Sequence, residues 1–415
     1  WKRKLIFMNA ESLIVIVSYN SENFIENCLK SILEQDYKNW FLVVVDNNSK
    51  DETISKIKEF RNLSPKISSH NFKLITLKKN IGFSAAINYA VFEFILKKKK
   101  ELEKELKYLV LINPDVYLSG DALKNLILPF ETESFRTGNR GDVKISSEDS
   151  ANIADDTENI SYLQEQEIGV AGGLILDYEK DTIQHLGGRV SSNFITSHIG
   201  YGMRYEDLQD KYRNLEKSQK IIQNTEQDTE LNTGKEVSHG SSGKEYKEYA
   251  DKEGAKNNLN IKENLKEVDY DTGALFATPL WIFKKIGGFD SGYRPAYYEE
   301  LDYCIKIKRT GRKVVVNPYC VARHFEGASV KKFSKRFYKH YHKNRIRCAI
   351  INMSFFNFSR EFFKEEFKWY RIKATKDQFT PLLYAYFLNF LFLPYNLIVK
   401  VKNYLTLRKL MLKVG

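Results

Sequence analysis

Three short polar clusters carry the residue types that could do chemistry in this 415-residue chain. Asp115 stands in Asn113-Pro114-Asp115, directly behind the apolar run Tyr108-Leu109-Val110-Leu111-Ile112. That run reads as a buried strand, and its carboxyl end is where open α/β sheets bind ligands. A carboxylate there can hold Mg²⁺ or Mn²⁺, which prefer hard oxygen ligands, against a diphosphate. The second cluster, Tyr297-Tyr298-Glu299-Glu300-Leu301-Asp302, opens a helix whose buried face is Leu301, Cys304 and Ile305. Lys306, Lys308 and Arg309 end that helix, a charge order that suits its dipole. Three carboxyls in four positions nevertheless exceed what capping needs. Crowded like charges raise the pKa of one member and tune it toward proton transfer. The third is His324, in Ala322-Arg323-His324-Phe325. Imidazole suits Mn²⁺ or a diphosphate oxygen, although a lone histidine is more often a core or surface residue. Spacing supports no chemistry for the other six histidines.

Two further clusters close strands. Val17-Ser18-Tyr19-Asn20 ends Leu13–Val17, and Asp46-Asn47-Asn48-Ser49 ends Phe41–Val45. Asp46 can accept the imide N–H of a uracil or thymine ring, with Tyr19 stacked on it; a turn or helix cap is the structural alternative. Asn80-Ile81-Gly82-Phe83-Ser84 follows the strand Lys73–Leu77. Gly82 permits close backbone approach and the helix beyond suits a phosphate, against the alternative of a plain loop.

These clusters need a scaffold, and the apolar periodicity supplies one. Phe24, Ile25, Cys28, Leu29, Ile32 and Leu33 recur at helical spacing, with Asn23 and Glu26 offering a capping box. Ser49 and Glu52 offer a second box, opening a helix to about Phe60, and a third helix covers about Ala85–Lys97. Strands alternating with helices predict βαβ units, an α/β fold with a mainly parallel sheet and flanking helices. Residues 131–165 and 204–266 interrupt it with polar sequence, including His239-Gly240-Ser241-Ser242-Gly243. Such segments bury too little to offset an ordering cost of about 1–2 kcal/mol per residue, so solvated insertions are expected. Apolar patterning returns at 168–176, 273–277 and 313–316.

Composition is that of a water-facing chain, 42% hydrophobic and 28% charged, with a net charge of +12 whose excess lies beyond residue 330. There Phe333, Phe337 and Tyr341 share a helical face interleaved with Lys331, Lys332, Lys335, Arg336, Lys339, Lys343, Arg345 and Arg347. Phe355 to Tyr370 suggest another amphipathic helix. Thr380–Val399 is uncharged and long enough to span a bilayer, but Asn389, Pro394 and Asn396 interrupt it. Such a region fits an anionic membrane surface, with packing on the rest of the chain or a homo-oligomer contact as alternatives. Nucleic acid is not expected, since no recognised module accompanies the charge. Four scattered cysteines read as reduced thiols in a cytosolic protein, not a disulfide frame or zinc site. The first residues, Trp1 to Phe7, are basic then briefly apolar and are not read as a secretory signal.

In this order, the motifs resemble the family 2 glycosyltransferases with the GT-A (Rossmann-like nucleotide-diphospho-sugar transferase) fold, especially the rhamnosyltransferase-like branch that builds bacterial surface polysaccharides. The resemblance rests on the clusters above with Asn88, Thr272-Gly273-Ala274 and Gly287-Gly288-Phe289-Asp290, and covers about Leu13 to Val330 apart from the insertions. It implies a catalytic domain at 1–330 and a basic, aromatic helical region at 331–415. It implies that Ser18, Tyr19, Asn20, Asp46, Asn48, Asn80, Gly82, Phe83, Asn113 and Gly273 bind the nucleotide sugar. Asp115, with Asn113, stands in the Asp-x-Asp metal motif, and His324 helps bind Mg²⁺ or Mn²⁺ and the diphosphate. Glu300 takes the general-base position, flanked by Glu299 and Asp302. Asn113 replaces an aspartate of the family pattern, and Glu300 is one methylene longer than the usual residue. The implied activity is inverting transfer from a UDP- or dTDP-sugar to a hydroxyl of a glycan or lipid-linked glycan, at the cytoplasmic face of the membrane. The alternative is a non-catalytic nucleotide-sugar-binding or scaffold protein on the same fold.

Overall fold

A computed structural model describes residues 10–65, 67, 71–97, 105–131, 167–211, 213, 264–325 and 334–411. Most of both polar insertions, His239–Gly243, the first nine residues and the basic run through Phe333 lie outside the described residues.

The first four strands are β1 (Ser12–Ser18), β2 (Trp40–Asp46), β3 (Phe72–Thr76) and β4 (Tyr108–Ile112). They pair in parallel in the order β4-β1-β2-β3. Period-two alternation sends Leu13, Val15, Val43, Val45, Leu109 and Leu111 into one core and Ile14, Ile16, Leu42, Val44, Val110 and Ile112 into the other. Both faces are covered, and for that reason the strands read as unbroken apolar runs. Past β4 the sheet is mixed. β5 (Val116–Leu118), β6 (Ile168–Asp177) and β7 (Ile183–His185) are followed by the hairpin β8 (Gly188–Val190) and β9 (Thr196–His198). β10 (Lys266–Glu267), β11 (Leu275–Pro279) and β12 (Lys313–His324) complete the set, giving the path β10-β12-β6-β11-β4-β1-β2-β3. β11 is antiparallel to both β4 and β6, so its first residues share an edge with the last residues of β4. β7 returns antiparallel on β6 because a short turn, not a crossover helix, joins them. The parallel expectation therefore holds for β4-β1-β2-β3 and again for β12 beside β6, while β5, β7, β10 and β11 pair antiparallel.

The helices are α1 (Ile25–Glu34), α2 (Thr53–Leu63), α3 (Phe83–Asn88, continuing as a π-helical stretch Tyr89–Leu96), α4 (Ala122–Glu131), α5 (Leu280–Ile286) and α6 (Glu299–Arg309). Neither expected capping box forms. α1 starts after Phe24 with no side-chain cap, its first N–H groups bonded to the Ser21 carbonyl. α2 starts after Glu52, and Ser49 is drawn instead to Asp46.

Beyond residue 334 lie α7 (Lys335–Asn352), α8 (Phe363–Ile372), α9 (Lys376–Leu391) and α10 (Leu393–Arg408). α7 is less a basic surface stripe than a buried strut. Arg345 is fully buried, paired through two nitrogens with Glu366 and donating to the Asn193 carbonyl, with its plane over Phe362 and Trp369. Arg347 reaches Asp290 at 2.6 Å and also bonds Asn396. Ile346, Cys348 and Ala349 join the same core as β1 and β4. All four cysteines are free and buried.

Candidate functional site

At the carboxyl edge of β1 and β2, Asp46 is buried and fully engaged by its own turn. Its Oδ2 accepts the N–H groups of Asn48 (3.1 Å) and Ser49 (3.0 Å), and its Oδ1 accepts the hydroxyls of Ser18 (3.3 Å) and Ser49. Two of these four donors are fixed backbone N–H groups on Oδ2, and the two on Oδ1 are serine hydroxyls that can rotate. The turn alternative is the arrangement adopted, and Asp46 acts as the anchor of this edge. Ser49 Oγ in turn accepts the Asn20 N–H, and Asn20 Oδ1 accepts that of Lys50. Asn20 and Asn48 both have positive φ (52° and 71°), which asparagine tolerates. Tyr19 stands clear of this net, 42% exposed, with its ring available for stacking.

Asn47 Oδ1 accepts the Ile81 N–H, tying this turn to the Asn80–Ser84 loop. Asn80 Oδ1 caps Gly82 N–H. Gly82 has φ +87°, and a Cβ there would meet the Pro295 carbonyl at 3.2 Å. That carbonyl accepts the Phe83 N–H, so one donor of the expected phosphate-binding turn is already occupied. Asn88 bonds both the N–H and the carbonyl of Phe289, which makes it a brace between α3 and the Gly287–Asp290 turn.

Asp115 and His324 meet. β5 pairs with β12 so that Val116 faces His324, and the Asp115 carbonyl accepts the Phe325 N–H. His324 Nε2 lies 3.3 Å from Asp115 Oδ1 without hydrogen-bond alignment, and that oxygen is buried with no hydrogen-bond partner. A buried, unsatisfied carboxylate oxygen facing an imidazole nitrogen fits a divalent cation. Among the described residues no third acidic, histidine or cysteine side chain joins them. Two protein donors suit Mg²⁺ or Mn²⁺ whose other ligands are phosphate and water. Asn113 adjoins the pair, its N–H donated to the Ala274 carbonyl at 3.1 Å.

That bond is the bridge to the acidic helix. Gly273, one residue before Ala274, donates its N–H to the Glu300 carboxyl. A Cβ on Gly273 would sit 2.2 Å from Glu300 Oε1, so only glycine permits this contact. Asp115 and Glu300 thus belong to one edge of the sheet, on either side of the Asn113–Ala274 link. Burial pushes the Glu300 carboxyl up to about 7; the N–H groups of Glu300 and Gly273 oppose the rise and the Asp271 charge adds to it. Glu299 is raised well above the ordinary carboxyl range by burial and by the Glu300 charge, and its Oε2 has no hydrogen-bond partner. Asp302 does not join them. It is buried with Lys306 Nζ at 2.7 Å and accepts from Asn352, which gives it a structural part between α6 and α7.

Several contributors left no trace in sequence patterning. Tyr297 and Tyr298 precede α6 with φ of +82° and +78°, a conformation costing about 1–3 kcal/mol per residue. Asn344 of α7 holds this turn through the Ala296 and Tyr297 carbonyls, while Tyr298 donates to the Phe194 carbonyl. Buried Asp271 accepts from His185 Nε2 at 2.7 Å, and His185 Nδ1 meets His198 Nδ1 at 2.7 Å. This chain of groups lies near enough to Glu300 for the Asp271 charge to raise its pKa, although the spacing of His185 and His198 suggested no chemistry.

Residues 13–151 match the family model described as glycosyl transferase family 2. The Escherichia coli UDP-Glc:alpha-D-GlcNAc-diphosphoundecaprenol beta-1,3-glucosyltransferase WfgD is 37% identical over 78 residues, which are 19% of this chain and 28% of that protein. An uncharacterized glycosyltransferase of Haemophilus influenzae is 32% identical over 75 residues, 18% and 22% of the two lengths. The putative teichuronic acid biosynthesis glycosyltransferase TuaG of Bacillus subtilis is 26% identical over 108 residues, 23% and 41%. The chain therefore spans less than half the length of these relatives. Among solved structures, S. aureus TarS 1–349 in complex with UDP-GlcNAc overlays with a TM-score of 0.45 at 15% identity, covering 90% of this chain and 79% of that one.

Proposed function

We propose that this chain, a family 2 glycosyltransferase by residues 13–151, transfers a sugar with inversion from a UDP- or dTDP-sugar to a hydroxyl of a glycan or lipid-linked glycan. The observation that carries the reading is the shared edge, with Glu300 held by Gly273 next to the strand that ends in Asn113 and Asp115. The Glu300 carboxylate takes the proton of the acceptor hydroxyl. The acceptor's hydroxyl oxygen forms the new bond to the anomeric carbon from the face opposite the donor's diphosphate, which departs with the electron pair of the broken bond. A carboxyl poised near neutrality suits that task, and base catalysis of this kind is worth about 10²–10⁴-fold. Tyr19 stacks on the nucleobase over the Asp46 turn. Asp115 and His324 would hold a divalent cation, which when bound supplies positive charge against the departing diphosphate. Burial and the Glu300 charge raise neighbouring Glu299 further, so Glu300 is the member of the pair left to ionise.

The C-terminal helices support a membrane-side acceptor. α9 and α10 meet at a bend of 70°, and no single helix among the described residues is long and apolar enough to cross a membrane. Their outer face exposes Phe387, Phe390, Ile398 and Val401, at 64%, 76%, 67% and 58%, while Asn389 and Asn396 are buried against α7. An apolar face of this extent marks an interaction surface, and lysines on an anionic leaflet add about 1 kcal/mol each. WfgD, whose name gives a diphosphoundecaprenol-linked acceptor, is consistent with that placement.

The test is release of UDP or dTDP from UDP-glucose, UDP-GlcNAc and dTDP-rhamnose with Mn²⁺ and polyprenyl-diphosphate glycans. Glu300→Gln and Asp115→Ala should each abolish transfer while the thermal transition stays cooperative; near-normal turnover in both sinks the assignment. Binding of a nucleotide sugar with no transfer or hydrolysis in any arm would favour the scaffold alternative.

A further inference from the structure

From the hydrogen bonds around His324 we infer that Gln184 is a positioning residue that fixes the His324 tautomer and leaves Nε2 bare toward Asp115. The inference rests on the cation reading above. Gln184 is buried on β7, the strand laid across β6 from β12. Its Nε2 donates to the His324 carbonyl at 2.9 Å and toward Asp177 Oδ2 at 3.4 Å; its Oε1 lies 3.0 Å from His324 Nδ1. The partners decide the amide's orientation. A peptide carbonyl can only accept, and Asp177 acts as an acceptor here, its Oδ1 taking the N–H groups of Glu179 and Lys180. Rotating the amide by half a turn would set its oxygen against both of those oxygens, so the nitrogen must stay where it is. Oε1 then faces His324 Nδ1, and two lone pairs cannot share a 3.0 Å contact. Nδ1 therefore carries the proton and donates.

The consequence falls on the other ring nitrogen. In the neutral imidazole with Nδ1–H, Nε2 holds a lone pair, and its neighbour at 3.3 Å is the partnerless Oδ1 of Asp115. Two electron-rich atoms at that separation repel unless positive charge comes between them. Three features keep the lone pair aimed at that point: backbone pairing of His324 with Val116 on one side, pairing with Asp177 on the other, and the Gln184 Oε1 contact at Nδ1. Gln184 differs from Asp115 and His324 in touching neither donor nor cation. It acts through the orientation of a ligand, and partners of that kind are typically worth 10–100-fold in metal affinity.

The experiment uses the full chain and Mn²⁺ alone as the probe, with free Mn²⁺ followed by electron paramagnetic resonance. Gln184→Met should weaken Mn²⁺ binding by 10–100-fold. His324→Ala combined with Gln184→Met should be no weaker than His324→Ala alone, since Gln184 acts only through the ring. Nitrogen-15 shifts of the His324 imidazole in metal-free protein should report Nδ1–H in the wild type and a mixture in Gln184→Met. Additive losses, wild-type affinity in Gln184→Met, or an Nε2–H tautomer in the wild type would each overturn the inference. A wild-type chain that binds no Mn²⁺, or that binds it equally well after His324→Ala and Asp115→Ala, would overturn the cation reading instead. The tautomer measurement is independent of that outcome, and of whether Gln184→Met folds.

Discussion

The sheet and the C-terminal helices use apolar residues in opposite directions. In β1, β2 and β4 the apolar side chains are covered on one face or the other, Val17 partly, and Ser18 and Asp46 stand at the carboxyl edge. In α9 and α10 the polar Asn389 and Asn396 are buried, bonded to the Lys343 carbonyl and to Arg347, while phenylalanine, isoleucine and valine face outward. A helix pair that docks through Leu382, Ala385, Leu407 and two asparagines while leaving large apolar side chains exposed presents an interaction surface. The lesson is that one chain carries a polar sheet edge and an exposed apolar surface, joined by α7. That helix braces the turn before Glu300 through Asn344 and holds the outer helices through Arg347.

The comparison is broken most sharply at the edge. Glu300→Gln should lower the transfer rate by about 10²–10⁴-fold and leave liposome flotation unchanged; a parallel loss of flotation would mean that the two regions are not separable. Next in size is the strut. Arg345→Met leaves Glu366 buried and unpaired and should cost about 3–5 kcal/mol in chemical denaturation, so a near-neutral result would contradict its burial. On the outer face, Phe387, Phe390, Ile398 and Val401 together replaced by serine should reduce binding to anionic liposomes at least tenfold. Stability should then change by no more than about 0.5 kcal/mol per site, as at other surface positions. Should flotation persist while the chain changes from dimer to monomer, the apolar face is a contact between copies of the chain.

The smallest effect is the pH dependence of stability. The folded Glu300 carboxyl titrates near 7 and the ordinary value is 4.5, so between those values the folded state keeps a proton that the unfolded chain has lost. Stability from this group is therefore present at low pH and falls as pH rises through that window. Glu300→Gln should match the wild type near pH 4.5 and exceed it by about 1–3 kcal/mol at pH 8, read as a shift of the denaturation midpoint. The same protonation predicts wild-type kcat/KM rising with pH through about 7. A profile flat from pH 5 to 8 would remove Glu300 as the base.

Much of the sheet was legible because strands covered on both faces must be continuous apolar runs, and Leu13–Val17, Phe41–Val45 and Tyr108–Ile112 are such runs. Asp115, His324, Glu299 and Glu300 were singled out from the sequence as ionisable groups beside strand and helix ends, and the structure brings Asp115 to His324 and buries Glu299 beside Glu300. Asp302 was grouped with them by spacing, yet it lies two residues from Glu300, a step that turns a helical side chain to another face, and it meets Lys306 and Asn352 there. Asp46 matched a motif, but its lone pairs go to the turn that Ser18 and Ser49 close around it. No spacing could place Gln184 beside His324, 140 positions away, or Asn344 beneath Tyr297.

What the sequence determined alone is local and periodic: where strands and helices run, which residues can ionise, and that the apolar stretch from Thr380 to Val399 is broken. The tertiary structure decided which acids share an edge, which lone pairs are spent inside the protein, and which way the last helices turn their apolar side. Those matters depend on contacts between distant segments, and each rests on the partners a group finds once water has been excluded.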